Sequence, residues 1–413
     1  MVMVDAAVVG HLSTVSLAGL GIAANLLGIP VGLCIFLAYG TTATVARQLG
    51  AGHRDRALRS GLDGIVLGAG LGVVLAVGMS LAAPFLVGLY GPAPEVADES
   101  VRYLRFAALG LFGLLMMLAS TGVLRGLQDT RTPLWVAIGI NVANAILTIS
   151  LVHGTSLGIM GAGIGSAIAQ VSGGLLLATI VTVKARREGV PLRPTRSGVL
   201  ANARQGGWLV LRTLSLQIAV TTTTVLATGF GTIAIAAHQI TNALWMMLAM
   251  MLDAVAIAAQ AIIGRYLGAG DVTVTRLLTK RMLWWGVVAG VGFGVLVWLT
   301  HPVYAGFFSP DPAVQELLGH VLLVVAVVTP VSAAVFVLDG VLIGAGDARY
   351  LALAGMIATG SYLVLAWAVH HFAGGMGAAG LVWLWIAYTG FMVARLVTLG
   401  VRAVGDRWLR TGA

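Results

Sequence analysis

Apolar stretches of about twenty residues or more recur along the whole chain, and this feature restricts the fold more than any other. Each is long enough to cross roughly 30 Å of hydrocarbon as a helix at 1.5 Å per residue. Hydrophobic residues fill 59% of the 413 positions and charged residues only 9%, against about a quarter charged in a soluble domain. The predicted class is therefore an all-α, polytopic membrane protein with no separate soluble domain. The formal charge of +9 does not point to nucleic acid, because the basic residues sit in short loops between apolar spans, where they set orientation. One cysteine, Cys34, leaves no intrachain disulfide and no cysteine-based metal cluster.

Charges and loop residues divide the chain into about twelve spans: 1–10, 16–46, 60–88, 104–124, 132–153, 159–183, 207–229, 233–264, 282–305, 316–344, 350–372 and 377–400. Lys and Arg cluster after the even-numbered spans, as at Arg47 to Arg59, Arg125 and Arg131, Lys184 to Arg204, and Arg265 to Arg281. The alternate loops hold Arg102 and Arg105 beside Glu95, Asp98 and Glu99. That asymmetry places both termini in the cytoplasm of a cell (plasma or inner) membrane protein.

The chain also repeats itself. Arg47-Gln48-Leu49-Gly50-Ala51-Gly52 returns 218 positions on as Arg265-Tyr266-Leu267-Gly268-Ala269-Gly270. At the same offset Pro84 and Pro94 meet Pro302 and Pro312, and Leu124 to Arg131 meets Leu342 to Arg349. Six spans per copy is an even number, so both copies enter the membrane the same way, and two lobes about a central cleft are expected. The predicted division is an N-terminal lobe at 1–187, a cytoplasmic linker at 188–205 and a C-terminal lobe at 206–413. With both copies in one chain, a monomer in the lipid bilayer is expected. The offset also matches residue 1 to residue 219, well inside span 7, so span 1 reads as about a dozen residues short of a crossing.

Ionisable residues inside spans are costly and mark candidate sites. Asp5 aligns with Thr223, deep in span 7. Span 5 offers Asn141, Asn144 and Thr148 at helical spacing, and span 6 offers Ser166, at comparable depth. The second copy has Tyr362 for Asn144 and Ala366 for Thr148, so one lobe alone carries a carboxylate among neutral oxygen donors. Burial disfavours the charged form of a carboxylate, which suits such a set to exchange protons or hold Na⁺. The alternative reading is a hydrogen-bonded polar cluster that merely packs helices. In the second lobe Arg212, Asp253 and Asp339 lie towards the cytoplasmic side; Arg212 and Asp339 match in depth and are expected to pair, as a structural bond or as part of gating. Met246, Met247 and Met250 of span 8 form an adaptable stripe that suits a substrate cleft or a lipid-facing surface. Gln48 and Gln260 are candidate polar contacts of the cleft. No His/Glu metal spacing and no Ser/His/Asp set converges, so no enzyme chemistry, metal or cofactor is expected.

The start, Val4-Asp5-Ala6-Ala7-Val8-Val9-Gly10-His11-Leu12, resembles the first-span signature of multidrug and toxic compound extrusion (MATE) transporters. Arg265 to Gly270, and Leu338-Asp339-Gly340 leading to Gly344-Ala345-Gly346-Asp347, are similar to the DinF-like branch of that family. The resemblance spans essentially the whole chain. It implies a twelve-helix, two-lobed antiporter that exports cationic or amphipathic compounds by alternating access, with Asp5 as the proton or cation site. The family pattern pairs the span 5 Asn with an Asp one turn on, where this chain has Thr148. Another branch places a Glu in span 7, where this chain has Thr221 to Thr224. With Asp5 the one acid of the pocket, protons are favoured over Na⁺. The rival reading within transport is a lipid-linked oligosaccharide flippase.

Overall fold

The computed structural model describes residues 1–412 and contains only helices and their connections among them. The first copy runs through α1 (Val2–Val9), α2 (Thr14–Cys34), α3 (Phe36–Gly50), α4 (Arg54–Gly88), α5 (Pro94–Ala107), α6 (Gly110–Gly126), α7 (Arg131–His153) and α8 (Ile159–Arg187). The second runs through α9 (Arg196–Gly229), α10 (Thr232–Gly268), α11 (Val272–Phe308), α12 (Pro312–Gly344) and α13 (Ala348–Ala373), then a 3₁₀ turn (Gly374–Ala379) and α14 (Gly380–Val404). Nine continuous helical stretches among the described residues are long and apolar enough to cross a membrane, or ten with one bent pair. The last stretch, Ala348–Val404, holds two predicted spans, and α1 supplies the remaining one, so the twelve predicted spans all appear in order.

Span 9 starts ten residues early, at Val272, and three further differences bear on the packing. At Ile35 a single residue divides α2 from α3 without ending the continuous stretch Thr14–Gly50; Pro30 within α2 removes one backbone donor shortly before it. Span 4 starts ten residues early, at Pro94, and bends by 47° between α5 and α6. Its first half is too polar to read as a span, but Ser100, Tyr103, Leu104 and Ala107 form a buried stripe at i, i+3, i+4 and i+7. The third difference is the expected linker, whose second half is already helix, because α9 begins at Arg196. The reason lies across the fold: Asp63, buried in α4, accepts hydrogen bonds from the Thr195 backbone N–H and hydroxyl, both at 2.7 Å. A carboxylate at that position satisfies an amide that a helix start otherwise leaves free and fixes the hydroxyl beside it. Gly198 permits the approach, since a Cβ there would lie 2.6 Å from the Thr195 hydroxyl.

The compact units are Met1–Gly206 and Gly207–Ala413, with α9 continuous through the boundary. Within the first, α6 packs on α3, α4 and α8; within the second, α12 packs on α10, α11 and α14. Glycine sets the closeness of these contacts. A Cβ on Gly340 of α12 would come within 2.8 Å of the Ala256 carbonyl carbon, and one on Gly344 within 3.0 Å of Gln260 Cα.

The repeat reaches into detail. Gly52 and Gly270 both take φ +80 at the helix ends of the Arg-x-Leu-Gly-Ala-Gly motifs. Gln128, at φ 67, and Gly346, at φ 74, close the second pair of matched turns. Glycine suits this left-handed geometry, and Gln128 adopts it against that preference. Beyond these turns Asp129 binds Lys184 at 2.7 Å, and Asp347 binds Arg402 at 2.6 Å; both partners again stand 218 positions apart. Burial alone would push the Asp129 carboxyl up, but its bonds to Lys184 and Thr132 outweigh it and hold the carboxyl below the ordinary value.

Candidate functional site

Asp5 is fully buried in the first unit, and three helices bring hydroxyls to its carboxylate. Thr148 of α7 donates to Oδ1 at 3.0 Å. Ser166 of α8 donates to Oδ2 at 2.6 Å, and Tyr103 of α5 donates to the same oxygen at 2.8 Å. Asn144, one turn from Thr148, donates through Nδ2 to Ser166 at 2.9 Å and to Thr148 at 3.3 Å. Its Oδ1 is buried without a hydrogen-bond partner. A cavity of about 180 Å³ lies against the group, lined by Asp5, Tyr103, Ser166 and Gln170 among apolar residues of α2 and α6.

Helix packing explains why the set converges. Gly165 of α8 lies against Thr148, where a Cβ would come within 3.1 Å of its backbone nitrogen. Gly163 does the same against α5, within 2.9 Å of the Tyr103 carbonyl oxygen. The small residues of α8 thus draw α5 and α7 onto the face that carries Ser166. Asp5, Asn144, Thr148 and Ser166, chosen from sequence, stand together; Asn141 does not, being exposed with its amide on the Ala137 carbonyl at 2.8 Å. Tyr103 was not anticipated, because it stands between Arg102 and Arg105 in a segment read as loop. The buried stripe of α5 was the signal available for it.

Chemically the arrangement is specific. Each of the three groups on the carboxylate donates a proton, so the network is built for an anion. Adding a proton to Asp5 introduces a new donor and leaves one hydroxyl without its acceptor. That hydroxyl must turn, and the unpartnered Asn144 Oδ1 is an acceptor within the same cluster.

The second unit lacks this chemistry at the matching place. Thr223, aligned with Asp5, shares a 2.5 Å hydrogen bond with Tyr362, aligned with Asn144. Beside them His238 Nε2 lies 3.1 Å from Thr224, and Trp385, Trp245 and Tyr388 pack edge to face. Its charges lie elsewhere. Asp339 accepts from Arg212 Nε at 3.2 Å and from Arg395 Nη2 at 3.4 Å, and a second Arg212 nitrogen also contacts Oδ2. The Arg212–Asp339 pair was expected; Arg395 was not, since so close to the C-terminal end of the last span it resembles an ordinary flanking cation. Asp253 is half-buried on α10. Met246, Met247 and Met250 are exposed on α10, which both of their readings require. Gln48 is half-buried with Oε1 unpartnered. Gln260, a candidate cleft contact, is 1% exposed, with α12 drawn onto it at Gly344.

Two tandem six-span units, one enclosing a buried carboxylate, define a class of multi-span membrane transporters. The MatE family model matches residues 1–150 and 209–368, and the chain belongs to the MATE family. Protein DETOXIFICATION 44, chloroplastic, of Arabidopsis thaliana is 30% identical, over 98% of this chain and 78% of its own length. DNA damage-inducible protein F of Escherichia coli (strain K12) is 27% identical, over 99% of this chain and 88% of its own. The chain spans less of two other Arabidopsis relatives, DETOXIFICATION 43 and 45, at 62% and 58% of their length. In fold, it superimposes on a crystal structure of the Vibrio cholerae MATE transporter VcmN, a single-substitution variant, with a TM-score of 0.87. Identity there is 21%, and the match covers 98% of this chain and 93% of that one.

Proposed function

We propose that this protein is a secondary antiporter that exports cationic or amphipathic compounds, driven by protons entering through Asp5. The observation that carries the reading is the fully buried carboxylate held by three neutral hydroxyls and no guanidinium or ammonium. An acid so placed exchanges a small cation without first breaking an ion pair. Protonation from the outer side turns the network as described above, and that two-state rearrangement is what alternating access needs to bias. Each pH unit of gradient supplies about 1.4 kcal/mol, enough for roughly tenfold accumulation at one-to-one exchange.

Na⁺ is the second reading, favoured by one observation, the unpartnered Asn144 Oδ1. A sodium ion would take oxygens from Asp5, Thr148, Ser166 and Asn144. Binding it would require the three hydroxyls to turn their protons away and the amide to swing its oxygen inward. The proton asks for less rearrangement. The lipid-linked oligosaccharide reading calls for cations presented to an anionic substrate, whereas Arg212 and Arg395 both close on Asp339. We place both termini and the Lys/Arg-rich loops on the cytoplasmic side of the plasma or inner membrane, following the loop charges.

The test is uptake of a fluorescent organic cation into proteoliposomes under pH and Na⁺ gradients imposed separately. Transport should follow the pH gradient alone, and Asp5→Asn should fold and lose it. Transport driven by Na⁺ alone, or a normal response from Asp5→Asn, would overturn the assignment.

A further inference from the structure

The first turns of α9 and the flank of α4 beneath them take no part in the carboxylate pocket, yet they form a shaped and charged surface. A groove of about 500 Å³ is lined by Val66 of α4 and by Arg196, Val199, Leu200 and Ala203 of α9. Its surroundings are basic: Arg186, Arg187, Arg193, Arg196 and Arg204 are all exposed. Three acids of the adjoining segments are already engaged. Glu188 binds Arg54 at 2.7 Å, Asp129 binds Lys184 at 2.7 Å, and Asp63 is turned onto Thr195. The Asp63 bond also occupies the start of α9, so guanidinium groups rather than helix amides are what this surface offers an anion.

The floor is apolar and continues towards the hydrocarbon. Leu200 is 67% exposed and Val66 41%. On α4, Val66, Gly70 and Val73 share one exposed face at i, i+4 and i+7. A Cβ at Gly70 would meet nothing within 4 Å, so the strip stays open for about 10 Å along the helix. Orientation of the chain accounts for the arginines but requires no groove. A soluble polyanion would use the charge and leave the strip uncovered. An anionic head joined to a hydrocarbon tail matches both parts at once.

We propose that this groove binds an anionic phospholipid, its phosphate held by Arg193 and Arg196 and one acyl chain laid along Val66, Gly70 and Val73. In the orientation proposed above, the lipid comes from the cytoplasmic leaflet. Because α9 continues unbroken into the second unit, the ligand sits on the element that joins the two.

The experiment is native mass spectrometry of the purified protein equilibrated with equal amounts of dioleoyl phosphatidylglycerol and dioleoyl phosphatidylcholine. The native chain should retain phosphatidylglycerol preferentially. Each arginine at such a surface contributes roughly fivefold, so Arg193→Gln with Arg196→Gln should cut the preference by roughly twenty- to thirtyfold. Gly70→Leu, which fills the strip, should weaken retention of phosphatidylglycerol with the melting temperature unchanged. Equal retention of the two lipids by the native chain, or a preference unmoved by the arginine and glycine variants, would overturn the proposal. So would displacement of phosphatidylglycerol by millimolar inorganic phosphate, which would make this a site for a free anion. None of these readouts depends on transport, so the result stands apart from the antiport reading.

Discussion

Replacing Asp339 with Asn tests how the second unit is held together. The side chains of Arg212, Asp339 and Arg395 are 12%, 5% and 7% exposed, and they come from α9, α12 and α14. Asn keeps the volume of Asp, so the substitution opens no cavity; it removes the anion on which both guanidinium groups close. Removing one partner of a buried ion pair costs about 3–5 kcal/mol, much of it the penalty of leaving charge buried without its counter-ion. At roughly 2–4 °C per kcal/mol for a unit of this size, the melting temperature should fall by about 6–20 °C. The assay heats the protein in detergent and measures the monodisperse fraction left by size-exclusion chromatography. Asp339→Leu combined with Arg212→Met and Arg395→Leu, which removes all three charges together, should recover part of the loss, because well-packed apolar residues tolerate such a site better than a broken ion pair does. A melting temperature for Asp339→Asn within about 2 °C of the parent would refute the reasoning, since the pair would then be worth no more than an exposed one.

Tyr103→Phe removes the 2.8 Å bond to Asp5 and keeps the ring; a hydrogen bond to a charged group is worth about 1.5–3 kcal/mol. Proton-driven uptake should drop roughly tenfold or more at unchanged expression, and a normal rate would remove Tyr103 from the coupling set. Gly340→Leu should force α12 away from Ala256 and destabilise by about 1–3 kcal/mol, as overpacking does; it is checked by the same heating assay. Asp129→Asn tests the Asp129–Lys184 bond by pH. A carboxyl held below its ordinary value stabilises the fold above the unfolded value near 3.8 and loses that contribution as pH falls through the folded value. The parent should therefore melt above the variant at pH 7, and the gap should close as the pH is lowered past 3.8.

The spans and their order were legible because about twenty apolar residues can do little else than cross a membrane. Asp5, Asn144, Thr148 and Ser166 were legible because the second copy supplied a ruler for depth that Asp5 lacks by itself. Tyr103 escaped since hydropathy averages a segment, and the charges around it mask a stripe that only helical periodicity reveals. Arg395 and Asp63 escaped for a related reason. Each lies within about three turns of a helix end, where a charge usually meets water, and only the fold shows the partner that it meets instead. Asp63 in particular finds Thr195, 132 positions away, at the point where the expected loop becomes helix.

Cys34 is the last residue of α2, next to the division at Ile35, and the chain has no other cysteine. A maleimide dye therefore has one place to react, and because the thiol is buried, labelling reports opening of that joint without background. Trp135 is the sole tryptophan of the first unit, the other nine following Gly207, where Trp245 and Trp385 are buried together. Indole emission and thiol labelling thus read different halves of the same molecule, so the order in which they loosen on heating can be followed in one unmodified sample.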